Sequence, residues 1–331
     1  MEPPVKRRLL ARIRAAGKPL GDYVNGRFYY GIKTGLNEAF VIDGATRDRL
    51  IAEDQKSAEV IKPFLRGRDV KRWKVEPPDL WLIFTRRPFN LAAYPAIENH
   101  LSKWRKELEP KPENWNDKTQ GAWTGRKAGS YQWFEIQDNI AYWQKFEHPK
   151  IFVPAIEDGV EYAPDLAGYY GNDKTNIIVT EEWRYVLAVL NSSISWWITQ
   201  QTFSGKQGGF YEFKPMYVSQ LPIPSAASGL KSVLSAVVDA VLAARDARYE
   251  QLINGLVFEL FFPDDLHRVN IRLFAACEKA GIDKLAGLKD QELATAAIEL
   301  ADHIFATSHP IYAMLFDLQA LEVVRIIEGK E

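Results

Sequence analysis

Cysteine is almost absent from this 331-residue chain, with Cys277 standing alone. That excludes a disulfide framework and makes a reducing cytoplasm the expected setting. No apolar run approaches the roughly 20 residues that a membrane helix needs. The basic opening Val5-Lys6-Arg7-Arg8 is not followed by the apolar stretch and small-residue site of a secretion signal. The glycine-rich patterns that cradle dinucleotides or nucleoside triphosphates are missing. Gly205-Lys206-Gln207-Gly208-Gly209 resembles a phosphate loop only superficially, because Lys206 lacks the following Ser or Thr and the upstream glycine. Histidine is scarce, with His100, His148, His267, His303 and His309 the full set. No His-Glu-x-x-His motif or Cys/His cluster exists to hold zinc, so no metal site is expected. His303 and His309 lie six residues apart, which does not place them on one helix face. No Gly-x-Ser-x-Gly nucleophile motif occurs either. No catalytic residue is therefore assigned.

What the chain does have is charge divided by position. The formal net charge is −1. Residues 1–150 carry 28 Lys+Arg against 19 Asp+Glu, whereas residues 151–331 carry 14 against 24. A basic half joined to an acidic half points to a polyanion partner for one part only. The densest stretch is Ile61–Lys74, where Lys62, Arg66, Arg68, Lys71, Arg72 and Lys74 are interleaved with Phe64 and Trp73. Pro63 and Gly67 there favour a shaped loop over a plain helix. Arg86 and Arg87 follow an expected strand at Leu80–Thr85. Arg126 and Lys127 fall in a Pro-, Gly- and Lys-rich stretch at 110–130, expected to be an exposed loop.

Periodicity supplies a coarse plan. A short basic helix is expected over 6–16, strands over Arg27–Ile32 and Ala39–Ile42, and a helix over Arg47–Asp54. Helical spacing continues through Tyr94–Glu109, strands recur at Ile151–Pro154 and Thr175–Val179, and an apolar helix follows at Trp183–Thr199. After Leu221-Pro222-Ile223-Pro224 the composition changes. Leu230, Leu234, Val237, Val241, Tyr249, Leu252, Leu256 and Leu260 mark one face of a single long helix over about 229–262, closed by Pro263. Two or three shorter helices are expected beyond it. The fold class is mixed α/β (α+β), with short twisted sheets over 1–224 and a helical tail over 225–331. Trp73, Trp133 and Trp143 are expected to be scaffold.

Several segments, in order, resemble one family. They are Tyr30–Asp43, Ile61–Trp73, Tyr94–Leu101, Trp133–Gln137, Phe146–Ile151, Leu187–Ser193 and Gly209–Pro224. Together they resemble the C-terminal target-recognition domain of TaqI-like and Eco57I-like (type II, including IIG) restriction-modification DNA adenine methyltransferases. The long helix resembles the spacer helices of type I specificity subunits. The resemblance implies a module that docks on double-stranded DNA. It would position a methyltransferase domain, attached in cis or supplied in trans, which methylates adenine N6 with S-adenosylmethionine; a nuclease using magnesium could also be attached. The Asn-Pro-Pro-Tyr-type catalytic motif of such enzymes is missing: Pro3-Pro4 and Pro77-Pro78 lack its flanking residues. The chain alone is thus expected to read DNA without catalysis and to need no cofactor of its own.

Phosphate contacts give affinity and register, whereas base edges give specificity. Lys62, Arg66, Arg68, Lys71 and Arg72 are expected at phosphates. Arg86, Arg87, Arg126, Lys127, Lys206 and Gln207 are expected on loops that meet the duplex. Gly205, Gly208 and Gly209 would allow close backbone approach, although a plain flexible turn reads equally well there. Two other classes stay open at this level. One is a nuclease or hydrolase with an unrecognised site, which would need a divalent metal and cleave DNA unaided. The other is a protein–protein interaction module of a phage-defence complex.

Overall fold

The computed structural model describes residues 4–330. Two four-stranded sheets organise the first two-thirds of the chain. The first runs Ala163–Asp165, Lys150–Pro154, Thr175–Ile178, Phe28–Tyr30, with every neighbour antiparallel. Its central strands are buried on both faces, as the continuous apolar run Ile151-Phe152-Val153 requires of one of them. The second sheet runs Tyr170–Gly171, Ile61–Leu65, Trp81–Ile83, Val41–Ile42 and includes one parallel pair. The sheets meet at Asn172. Its backbone N–H donates to Leu65 O at 3.0 Å, and Ile32 pairs with it in a parallel bridge. Gly31 packs so closely there that a Cβ would lie 1.9 Å from Asn172 O, so no other residue fits without moving the crossing.

Two hydrophobic cores follow. One gathers residues 32–179 around the second sheet and includes Phe40, Phe64, Ile97, Phe146 and Tyr170. The other takes Leu9 and Ile13 of the N-terminal helix Pro4–Ala15, the sheet residues Ile151 and Val153, the helices at 183–202, and the whole C-terminal helical region. Tail and sheet residues therefore share one apolar core.

Several helices are shorter than their periodicity suggests. The stretch 229–262 forms two helices, Ser228–Ala244 and Ala247–Phe261. Arg245 adopts a left-handed conformation (φ 56°), and Asp246 caps the second helix by accepting from Arg248 N–H. The apolar stripe runs on across the break because both helices bury their faces in one core, so periodicity alone could not show the break. Trp183–Thr199 likewise divides into Trp183–Leu190 and Ser193–Thr202, with Ser192 as N-cap. Tyr94–Glu109 divides into Pro95–Ser102 and Arg105–Leu108. Among the described residues five α-helices and one 3-10 helix follow residue 262, more than the two or three expected, because Gly281 and Pro310 punctuate the tail. Ala39–Ile42 is a helical turn followed by a two-residue strand.

Asn191, fully buried, joins the parts. Its amide Nδ2 donates to Tyr162 O at 2.9 Å, and its Oδ1 accepts from Tyr162 N–H at 3.1 Å. One side chain thus pairs with both backbone groups of Tyr162. Asn191→Ala would leave the buried Tyr162 N–H unpaired and its C=O with only the bond from Trp73 N–H. We expect a loss of about 2–4 kcal/mol in unfolding free energy, read as a lower urea midpoint with an unchanged slope.

Candidate nucleic-acid interface

The basic stretch 61–74 folds as a strand (Ile61–Leu65), a 3-10 turn (Gly67–Asp69) and a tight two-stranded ladder (Val70–Lys71 with Lys74–Val75). Most of its charge is already engaged. Lys62 pairs with Glu147 at 3.3 Å and Lys74 with Glu76 at 2.5 Å. Arg66 forks onto Asp69 through Nε (2.9 Å) and Nη2 (2.8 Å), while Asp69 also accepts from Arg66 N–H. Arg72 turns inward, donating to Asn191 O at 2.7 Å and pairing with Glu250 of the tail at 2.9 Å. Arg68 is exposed and Lys71 half-buried. Of the five phosphate candidates, Arg68 and Lys71 thus remain without a carboxylate ion pair among the described residues. Trp73 is buried in the core with a positive φ of 67°, a scaffold position as expected.

Arg126 is corrected outright. It is 4% exposed, and its guanidinium spends all five N–H groups on backbone carbonyls. Nε donates to Leu108 O (2.8 Å), Nη1 to Thr34 O (3.0 Å) and Glu135 O (2.7 Å), and Nη2 to Gln132 O (3.1 Å) and Trp133 O (3.0 Å). Burial lowers its pKa to about 10, still far above neutrality. Arg126 therefore holds the 108–135 loops to the Thr34 turn and has no donor left for a base. Sequence could not reveal this, since a buried and an exposed Arg look alike in a glycine-rich loop. Gly35 (φ 88°) accommodates it, as a Cβ there would meet Arg126 Cδ at 2.7 Å.

Arg87 is also largely occupied, donating to Gln137 O at 2.6 Å and Ser130 Oγ at 3.0 Å. Arg86 lies over the Trp143 ring at 5.2 Å and lines an open cleft of about 230 Å³ with Lys62. Lys127 is exposed.

The 205–212 segment is a projecting hairpin. Lys206 N–H donates to Phe210 O at 2.7 Å, and Tyr211–Glu212 pairs with Ile156–Glu157. Lys206, Gln207, Gly208, Gly209 and Phe210 are all exposed, with Gly208 and Gly209 at positive φ. Lys206 and Lys214 both pair with Glu212, at 2.9 and 2.6 Å. Tyr211 packs edge-on against Trp196, which anchors the hairpin on a buried helix.

These pieces adjoin at Asn172–Lys174. Asn172 Oδ1 accepts from Gly67 N–H (3.2 Å) and Lys174 N–H (3.1 Å), and Ala155 N–H donates to Lys174 O at 2.9 Å. The Arg68 turn, Lys174, the Ile156–Glu157 strand and the glycine hairpin are thus contiguous. Lys33 adjoins the Asn172 side through its bridging neighbour Ile32. Lys33 and Lys174, both exposed, were not among the residues singled out by sequence. Only the pairing of separate strands brings them near Arg68. Burial raises the Glu157 carboxyl to about 7, while Lys71 pulls it down and Glu161 and Asp158 push it further up. Among the described residues no three His, Cys, Asp or Glu side chains converge as a metal site requires, and no helix is long and apolar enough to cross a membrane.

Residues 62–223 match the family model of the TaqI-like C-terminal specificity domain. Among solved structures, the chain is similar to the type IIL restriction-modification enzyme MmeI in complex with DNA (14% identity, TM-score 0.45, covering 89% of this chain and 36% of that one). It is also similar to the type IIG restriction endonuclease BpuSI (11% identity, TM-score 0.43, covering 91% of this chain and 33% of that one). The chain spans about a third of the length of either enzyme. No curated protein matches it.

Arg126 and Arg68 separate scaffold from surface experimentally. Arg126→Ala removes five hydrogen bonds, of whose acceptors Thr34 O and Gln132 O keep a backbone donor, and we expect a loss of about 3 kcal/mol or more in chemical denaturation. Arg68→Ala should leave the midpoint unchanged within about 0.5 kcal/mol.

Proposed function

From the match of residues 62–223 to the TaqI-like C-terminal specificity domain, we propose that this chain reads the sequence of double-stranded DNA and holds a catalytic domain in register on it. The observation that carries this reading is the exposed hairpin Gly205–Phe210. It sets a lysine, an amide side chain and two positive-φ glycines on a half-buried base, contiguous with the Arg68 turn. Lysine and arginine neutralise phosphates, and glutamine can fork onto adenine in the major groove. Lys33, Arg68, Lys71, Lys174 and Lys206 are the phosphate set. Gln207, with Arg86 and Lys127 on the neighbouring loops, is the base-reading set. The catalytic partner is a DNA adenine N6-methyltransferase domain, in the same polypeptide or another. It supplies S-adenosylmethionine chemistry that no residue of this chain performs.

Direct titration of a fluorescent duplex tests the reading. Binding should weaken steeply with salt, each phosphate contact contributing about −0.9 to the log–log slope. The pair Arg68→Glu and Lys206→Glu should reduce affinity for all sequences alike and make the slope shallower. Gln207→Ala should instead alter discrimination among sites. Absence of binding to any duplex at low salt sinks the proposal.

Glu157 adds a pH dependence. Because its folded-state pKa is raised, the carboxyl is neutral below about 7 and places a negative charge beside Lys71 above it. Its contribution to stability is full below the ordinary carboxylate range and is lost as pH rises through about 7. DNA affinity should therefore fall between pH 6 and pH 8, and Glu157→Gln should flatten that step in an otherwise identical titration.

A further inference from the structure

The two histidines that sequence spacing kept apart meet in space. The helix Asp290–Ile304 ends just past His303, and the chain reverses through residues 305–309 before the helix Pro310–Leu318. The turn brings the His303 and His309 rings to a centroid distance of 4.9 Å, edge to face. They border a cavity of about 350 Å³ whose other polar walls are Arg272, Lys279 and Asn270, over an apolar floor that includes Ala276 and Met314. No carboxylate lines it, although residues 151–331 carry 24 acidic against 14 basic side chains. The acids near it are directed elsewhere. Asp302 pairs with Arg248 at 2.9 Å, Glu259 pairs with His267 at 3.0 Å, and Glu278 lines an adjoining cleft that Arg272 also borders. Arg272 and Lys279 form no ion pair among the described residues, unlike most cations of the 61–74 stretch.

We propose that this cavity is an anion site for a phosphate group, either free or as a phosphomonoester or phosphodiester. Two side chains of fixed positive charge and two imidazoles converge on one volume of drug-pocket size. A metal ion is disfavoured there, because Arg272 and Lys279 would repel it and only two imidazoles are on offer. Arg272 supplies a planar fork suited to phosphate oxygens, and Lys279 a point charge. His309 needs no extra proton to take part. Its Nδ1 accepts from Ile311 N–H at 3.2 Å, so the neutral ring carries its proton on Nε2 as a donor. Burial, reinforced by His303, holds the His309 pKa below its ordinary value. A bound phosphate would oppose that shift. The site stands apart from the hairpin surface and does not depend on the DNA reading.

The test is imidazole NMR of the full chain at pH 7 during titration with inorganic phosphate, against sodium chloride at matched ionic strength. His303 and His309 should shift together and saturate with phosphate, not with chloride. In Arg272→Ala/Lys279→Ala the apparent affinity should fall about ten-fold or more; both side chains are exposed, so the fold should persist by circular dichroism. Lys279→Glu should abolish the effect without removing a helix former. Parallel titrations with a nucleoside 5′-monophosphate and a short DNA duplex identify the source. Saturation at lower concentration by the monophosphate assigns a small ligand, and by the duplex assigns backbone phosphate. Shifts that track ionic strength alone, or that persist unchanged in both variants, overturn the site.

Discussion

The placement of Arg72 constrains the rest of the structure. The most cation-rich segment of the sequence passes this guanidinium inward to Asn191 O and Glu250. Its backbone N–H donates to Glu161 at 2.6 Å, and the next residue, Trp73, bonds Tyr162 O at 3.0 Å. Arg245, at the break between the two long tail helices, returns a hydrogen bond to Trp73 O at 3.3 Å. One short stretch thereby ties a sheet-edge loop, a helix C-terminus and the tail. A half-buried Arg–Glu pair contributes modestly to net stability, yet losing one partner strands the other. The joint therefore fixes geometry more than it adds free energy. The tail cannot move independently of the turn that carries Arg68.

That joint changes what the charge pattern means. Six cations in fourteen residues look like a polyanion surface, but Lys62, Arg66, Arg72 and Lys74 are each matched to a carboxylate. Charges paired within a few ångströms present little field beyond a Debye length. The field left at a distance comes from exposed cations without such a partner, Arg68 and Lys33, whereas Lys174 and Lys206 are themselves paired with Asp173 and Glu212. Density of charge in sequence and density of free charge in space are different quantities. In this chain they separate because acids match the cations both locally, at Asp69 and Glu76, and from remote segments, at Glu147 and Glu250.

The legible parts of the fold were those with local causes. Ile151–Val153 is a short apolar run and Thr175–Ile178 a fully buried strand, and they form the centre of a sheet. The glycine positions were visible too, and Gly31 and Gly35 prove to be required by close approach to Asn172 and Arg126. The TaqI-like resemblance was carried by segments that the family match at 62–223 largely covers. Illegible were features decided by partners far along the chain. Nothing local distinguishes Arg126, buried on five carbonyls, from Lys127 beside it on the surface. The helix break at Arg245 is invisible because the apolar stripe continues across it. His303 and His309 failed a same-face test because that test assumes one helix, whereas a turn lies between them.

Exposed loops can vary in sequence only where a buried frame holds them in place. The frame here is explicit. Asn191 completes the Tyr162 backbone, Arg126 fastens the 108–135 loops, and Tyr211 on Trp196 seats the hairpin. Each uses buried contacts that substitution would disrupt, so sequence freedom is confined to residues beyond them. Lys206 to Gly209 make no contact that the core depends on, and a Cβ at Gly209 would meet nothing within 4 Å. The hairpin tip can therefore change composition with little cost in stability. Its position relative to the Arg68 turn stays fixed through Glu157, Ala155 and Lys174. That separation lets one scaffold present different side chains at the hairpin tip at a constant distance from the Arg68 turn.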